Sequence, residues 1–102
     1  MSESDPTTTD PDGRRVVFDG GSQQHLALGR RGWLLDHLEL ILGAVEAPDH
    51  REDDPLPGRE RFYRQNVLQP GRWLRVVVDF SDDPGWIVTV LVQDNDPRGR
   101  QR

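Results

Sequence analysis

Cysteine is absent from this chain of 102 residues. Its absence excludes a disulfide framework, a thiolate metal site and a cysteine nucleophile, so the fold must be stabilised by packing alone. Lysine is absent as well, and 13 arginines supply the permanent side-chain cations. The codon usage of a GC-rich genome also favours arginine, so this bias does not by itself indicate a function.

Long apolar runs are absent too. No run approaches the roughly 20 residues of a membrane span, and the N-terminus is acidic and polar where a signal peptide would be basic and then apolar. We therefore expect a cytoplasmic protein that makes no membrane contact. Hydrophobic residues make up 33% of the chain, which is enough for one small core.

The two ends of the chain have little to pack. Residues 2–14 contain no apolar side chain, which is typical of a disordered segment. We expect a disordered acidic tail over residues 1–14, a single domain over 15–93 and a flexible tail over 94–102.

Helical periodicity is clearest over residues 33–47. Its apolar stripe consists of Leu34, Leu38, Ile41 and Val45, which recur at helical spacing. Pro48 ends the helix because a residue that precedes proline is disfavoured in the helical region. A shorter helix is predicted over residues 22–28, after the turn Asp19-Gly20-Gly21.

After Pro48 the apolar period changes to two, which is typical of strands. Strands are predicted over residues 61–68, 72–80 and 86–92, joined by turns rich in Pro and Gly, with a short strand at 15–18 and a weaker candidate at 49–53. The predicted fold class is α+β, with one or two N-terminal helices packed on a three- to four-stranded antiparallel β-meander.

Alternation assigns side chains to the two faces of this meander. The helix-covered face takes Leu74, Val76, Val78 and Phe80 from the middle strand and Trp86, Val88, Val90 and Val92 from the last. The other face takes Trp73 and Arg75, with Thr89 on the neighbouring strand. Tyr63 or Arg64 joins them from the first strand, depending on register.

The formal charge of −5 is spread unevenly. A basic island, formed by Arg59, Arg61, Arg64, Arg72 and Arg75, gives residues 55–78 a charge of +4, since Glu60 is their only acid. Arginines that share one face of a sheet form an anion site. They can instead be solvated strand residues paired with the nearby carboxylates, which are Asp49, Glu52, Asp53 and Asp54.

Several short sequence words occur in an informative order. They are His25 followed by Arg30 and Arg31, Pro48-Asp49, Tyr63-Arg64, Leu74-Arg75-Val76-Val77-Val78 and Val88-Thr89. In this order they resemble the small phage- and toxin-associated nucleases of the barnase/EndoU/colicin/RelE-like superfamily, over about residues 16–93. The chain departs from that pattern at Gly32-Trp33, where many relatives have His and Pro, and at Val90, where a small residue is common.

The resemblance implies a fold of two helices on a four-stranded antiparallel sheet. It also implies a bacterial endoribonuclease that needs no metal or other cofactor and acts as the toxin of a toxin–antitoxin or phage-conflict system. The expected partners are an RNA substrate and a cognate antitoxin protein. The implied chemistry is attack of a ribose 2′-hydroxyl on the adjacent phosphate.

That chemistry needs fixed cations and a group that transfers protons near neutral pH. We expect Arg64 and Arg75 to supply charge, His25 to move a proton and Thr89 to hydrogen-bond a phosphate. Arg31 and Tyr63 are expected to assist. The predicted catalytic residues are His25, Arg31, Arg64, Arg75 and Thr89, and the predicted substrate-binding residues are Arg61, Tyr63, Arg72 and Trp73.

Each candidate also has a structural interpretation. His25 and His37 can be polar helix-surface residues, Tyr63 and Trp73 can be packing residues, and Thr89 can be a strand residue without a function. His50 lies among acidic residues whose spacing matches no standard metal-ligand motif, so a solvated acidic loop is predicted there and no metal site.

A second hypothesis is a non-catalytic protein-interaction module on the same scaffold. In it, the acidic N-terminal half and the basic island bind a protein partner. The net negative charge favours this hypothesis, because an acidic protein is repelled from polyanions except through a focused patch. A bare strand edge would also allow a homodimer through the sheet.

Overall fold

The structure is a computed structural model that describes residues 5–99. The strands are Thr7–Thr9 (β1), Arg15–Val17 (β2), His50–Asp53 (β3), Arg59–Gln65 (β4), Trp73–Asp79 (β5) and Gly85–Gln93 (β6). The α-helices are Gly20–Ala27 (α1) and Leu38–Glu46 (α2), and a 3₁₀ helix, Gly32–His37, precedes α2. Within this range no helix has the length and apolar character to cross a membrane.

The strands form one curled mixed sheet in the order β1-β2-β6-β5-β4-β3. All neighbours are antiparallel except β2 and β6, which are parallel. The α+β class is confirmed, but the prediction of a purely antiparallel sheet of three to four strands is wrong. β1 is a run of three threonines with no apolar alternation, and the pairing of β2 with β6 joins segments far apart in sequence.

The helices begin and end close to the predicted positions. Asp19 caps α1 by accepting a hydrogen bond from the backbone N–H of Ser22 at 2.9 Å. The helix predicted over residues 33–47 is divided into the 3₁₀ helix and α2. The 3₁₀ helix begins at Gly32, where a Cβ atom would lie 2.8 Å from the carbonyl oxygen of Ala27 and glycine is therefore required.

The core lies between the helices and the inner face of the sheet, which is the face that they cover. Its buried residues are Val16, Phe18, Leu26, Leu34, Ile41, Ala44, Val45, Phe62, Leu74, Val76, Val78, Ile87 and Val90. The predicted inner positions of β5 are confirmed. In β6 an irregularity opposite Val77 and Val78 shifts the alternation, so Ile87 enters the core in place of Trp86.

Residues 5–14 differ from the predicted disordered tail, since they form β1 and a charged loop. Arg14 donates to both carboxylate oxygens of Glu60 in β4 at 2.9 and 3.0 Å, and Arg51 in β3 donates to Asp12 at 2.9 Å. Asp10 is 4% exposed and accepts a backbone N–H from Arg14 at 2.8 Å. These contacts connect the loop between β1 and β2 to the opposite end of the sheet, which is therefore curled.

The segment after β6 returns along the outer face, the side of the sheet away from the helices. Asp94 accepts a hydrogen bond from Arg72 at 2.8 Å. The guanidinium carbon of Arg98 lies 5.2 Å from the ring centroid of Trp73. The predicted flexible C-terminal tail makes these contacts as far as Arg98, and the structure describes it as far as Gly99. Residues 100–102 of that tail and residues 1–4 of the predicted N-terminal tail lie outside the described residues.

Candidate active site

A row of side chains crosses four strands on the outer face. His50 of β3 pairs with Tyr63 of β4, Tyr63 pairs with Arg75 of β5, and Arg75 pairs with Leu91 of β6. Directly opposite residues in antiparallel strands point to the same face. The register thus selects Tyr63, and not Arg64, as the neighbour of Arg75.

Glu52 of β3 contacts two members of this row, His50 and Tyr63. Its Oε1 lies 3.0 Å from Nε2 of His50, and its Oε2 accepts a hydrogen bond from the Tyr63 hydroxyl at 3.1 Å. Arg61 Nη1 lies 3.5 Å from Oε2 of Glu52. A carboxylate, an imidazole and a phenol are therefore joined on rigid strands, which is an arrangement suited to proton transfer.

Arg61 lies between two carboxylates, those of Glu52 and Asp54. Its Nε donates to Asp54 at 2.7 Å, and this bond raises the pKa of Arg61. The pKa of Asp54 is lowered by the backbone N–H of Leu56 and by Arg61. Both groups remain charged, so Arg61 positions Glu52 electrostatically but is itself neutralised by carboxylates.

Arg75 stands apart from the other arginines of the basic island. Its Nε, like that of Arg64, is buried and has no hydrogen-bond partner in the described part of the chain. Arg75 differs from Arg64 because it also lacks an ion pair there. The remaining four form ion pairs, which are Arg59 with Asp79, Arg61 with Asp54, Arg64 with Asp49 and Arg72 with Asp94. Arg75 has no such pair among residues 5–99, so it is the member of the island whose charge is left for an anion.

The basic island is thus not one cationic surface. Four of its arginines are neutralised, two of them by Asp49 and Asp54, as the structural interpretation of the sequence allowed. Arg64, predicted to be catalytic, lies beside Gly43 of α2, on the helix side of the sheet. It does not share the face of Arg75.

Three other predicted catalytic residues line one cavity. His25, Arg31 and Thr89 line a cavity of about 370 Å³ between α1 and β6, whose apolar wall includes Leu26 and Val90. Thr89 also lies opposite Val77 in the ladder, which places it on the outer face with Arg75, as predicted. The structure therefore divides the five predicted catalytic residues among this cavity, the outer face and the helix side at Arg64.

The predicted substrate-binding aromatic residues are packed. Tyr63 is 1% exposed and Trp73 is 3% exposed, and their rings meet edge to face with centroids 6.2 Å apart. Trp73 is covered further by Arg98. Neither ring is free to stack on a base, and the polar part of Tyr63, its hydroxyl, is used to hold Glu52.

Glu52 and His50 are the site residues that sequence analysis missed. The prediction of a solvated acidic loop around His50 is wrong, since the weaker alternative of a strand holds and β3 spans His50–Asp53. The two-residue spacing of His50 and Glu52 puts both on one face of a strand. That spacing was the available signal, but only the pairing with β4 brings Tyr63 and Arg75 to it.

The described residues include no group of three or more His, Asp or Glu side chains placed to hold a metal ion. Comparison of the chain with protein-family models, with curated proteins and with solved structures finds no match. The superfamily resemblance stays a prediction.

Proposed function

We propose that this chain is a metal-independent endoribonuclease, the toxin of a toxin–antitoxin or phage-conflict system, and that it cleaves RNA on its outer face. The observation that supports the proposal is the unneutralised Arg75 in register with Tyr63, beside the bonded pair His50 and Glu52. The expected protein partner is a cognate antitoxin.

The proposed reaction divides its roles among these side chains. Glu52 accepts the proton of a ribose 2′-hydroxyl, whose oxygen attacks the adjacent phosphorus. Arg75 stabilises the charge that develops on the phosphate oxygens. His50 protonates the departing 5′-oxygen. The new bond joins the 2′-oxygen to phosphorus and the bond to the 5′-oxygen breaks, giving a 2′,3′-cyclic phosphate and a 5′-hydroxyl.

The proposal keeps Arg75 and changes the residues that transfer protons. His25, the histidine expected from the resemblance, is exposed in the α1 cavity, which Arg75 does not line. His50 lies in the same row of paired residues as Tyr63 and Arg75, and Glu52 is joined to His50 and Tyr63 by side-chain contacts. General acid–base catalysis requires groups within hydrogen-bond reach of the reacting atoms, and the presence of His50, Glu52, Tyr63 and Arg75 on one face of the sheet supports the outer face as the place to look for them.

The test is incubation of the full chain with total RNA and with transfer RNA in EDTA. Arg75→Ala is assayed in parallel, with Arg59→Ala as a matched control at an arginine of the island that is paired with Asp79. Cleavage that resists EDTA, persists in the control and is lost in Arg75→Ala supports the proposal. Absence of cleavage by every protein, with or without magnesium, contradicts it.

The second candidate function is a non-catalytic protein-interaction module. The neutralised island arginines and the net charge of −5 favour it, because they leave little cationic surface for a polyanion. This candidate requires RNA binding that is weak and nearly independent of salt. A steep fall of RNA affinity with salt concentration contradicts it.

A further inference from the structure

One side of β6 lacks a strand partner over most of its length. β2 pairs with it only at Gly85 and Trp86, whereas β5 pairs with it along almost all of its length. Alternate residues of an antiparallel strand direct their N–H and C=O groups away from the partner. From Ile87 to Gln93 these outward groups make no backbone hydrogen bond on that side within the described range.

This edge carries none of the charges that usually protect a free edge against pairing, and α1 lies beside it only across the cavity at residues 88–90. Residues 87–93 read Ile-Val-Thr-Val-Leu-Val-Gln and carry no charge. The other two edges of the sheet are protected, because β3 consists of charged and titratable residues and β1 has only three residues. Native proteins shorten, charge or cover their free edges, so an uncharged edge of this length is suited to a partner strand.

The surface beside the edge combines apolar and cationic groups. The cavity between β6 and α1 is lined by Leu26, Leu28 and Val88, and Leu28 is 82% exposed. Arg31 lines the same cavity, and Arg30 precedes it. Both arginines are exposed, and neither forms an ion pair with a carboxylate among residues 5–99. We call Arg30 and Arg31 the rim of the cavity. Because these cations are not neutralised, in a chain of charge −5, they favour an acidic ligand.

We propose that the β6 edge and this cavity bind an acidic segment of a partner protein in extended conformation. The segment adds as a strand along residues 87–93, and main-chain hydrogen bonds supply the affinity. One of its apolar side chains enters the cavity, and a carboxylate contacts Arg30 and Arg31. The proposal does not depend on catalysis at the outer face.

A second copy of this chain fits the surface less well. Pairing of two β6 edges brings two Arg30-Arg31 rims to one interface, and the edge itself offers no carboxylate to neutralise them. Like charges that face each other oppose association. An acidic peptide in extended conformation would hydrogen-bond with the free backbone groups of β6 and would also neutralise Arg30 and Arg31.

The test selects a random peptide library on the immobilised full chain. Enriched peptides should alternate apolar with acidic residues, and N-methylation of alternate amides in the best peptide should abolish its binding. The variant Arg30→Glu with Arg31→Glu should weaken that binding by about tenfold or more. Arg15→Glu is the matched control, because Arg15 is exposed and does not line the cavity, and it should leave the affinity nearly unchanged.

Three outcomes would overturn the proposal. The first is that no peptide is enriched. The second is that enriched peptides keep their affinity after N-methylation or after charge reversal at Arg30 and Arg31. The third is a stable dimer of the free chain with β6 amides protected from hydrogen exchange, which would assign the edge to a second copy. Failure of RNA cleavage has no bearing on any of these readouts.

Discussion

Arg75 lies directly opposite Tyr63 in the ladder between β4 and β5, and the Tyr63 hydroxyl donates to Glu52 at 3.1 Å. The ladder thus joins an unneutralised cation to a carboxylate through one buried aromatic residue. Two strand spacings, about 10 Å in all, separate the backbones of β3 and β5. The proposed chemistry depends on this spacing.

Replacement of Arg75 should remove the cation that we propose to stabilise the reacting phosphate. We expect Arg75→Ala to lower the cleavage rate by about 10²–10³-fold and Arg75→Lys to recover only part of it, because an ammonium group cannot bind two phosphate oxygens as a planar fork does. Initial rates in EDTA measure the effect, and thermal unfolding checks that each variant is folded. A variant Arg75→Ala that cleaves as fast as the parent contradicts the assignment.

The identity of the proton-transfer residues can be decided by comparing two histidines. We expect His50→Gln and Glu52→Gln each to lower the cleavage rate by about 10²–10⁴-fold, and His25→Gln to leave it nearly unchanged. The measurement is the single-turnover rate on one RNA substrate. The reverse pattern, with His25→Gln inactive and His50→Gln active, would move the active site to the cavity beside α1.

Asp10 tests whether residues 5–14 belong to the fold. It is 4% exposed and accepts hydrogen bonds from the backbone of Asp12 and Arg14 and from the Arg14 side chain. Asp10→Ala leaves these donors without their acceptor, so we expect a loss of about 1–3 kcal/mol in the free energy of unfolding. Urea unfolding measures it. Asp5→Ala, at an exposed position, should change stability by less than about 0.5 kcal/mol, and equal effects would contradict the role of Asp10.

Glu60 should make stability depend on acid pH. Hydrogen bonds from Arg14, and then from Arg51, hold the pKa of Glu60 below its ordinary value. Because the pKa is lower in the folded state than in the unfolded chain, the stabilisation is present at neutral pH and is lost as the pH falls through the folded pKa.

We therefore expect Glu60→Gln to be less stable than the parent at neutral pH and to lose less stability on acidification below about pH 5. Urea midpoints at several pH values test this, with Glu46→Gln as a control at an exposed position of α2. Parallel curves for the parent and Glu60→Gln would contradict the role of this ion pair.

Periodicity predicted the parts of the fold that alternate or repeat. The stripe that includes Ile41 and Val45 identified α2, and the period-two segments identified β4, β5 and β6. β1 escaped prediction because three consecutive threonines show no contrast between faces. The parallel pairing of Val16 with Gly85 could not be predicted either, because no local pattern specifies which distant edge a short strand joins.

The site was predictable only in part, because the sequence shows where charged residues occur along the chain but not which of them form ion pairs in the fold. The island arginines were visible as a cluster, but Arg72 is neutralised by Asp94, a residue 22 positions away. Alternation predicted that either Tyr63 or Arg64 lies beside Arg75, and the register between β4 and β5 shows that it is Tyr63. Glu52 was overlooked because its role arises from the pairing of β3 with β4.

The central claim is that the outer face cleaves RNA through the 2′-hydroxyl, and the end groups of the fragments test it most directly. RNA should be cleaved by the full chain in EDTA and its fragments analysed by mass spectrometry. The account predicts 2′,3′-cyclic phosphates and 5′-hydroxyls, with no cleavage where a single 2′-deoxy nucleotide replaces the one at the scission site. No fragments, fragments with 3′-hydroxyl ends, or cleavage that ignores the 2′-deoxy substitution would contradict it.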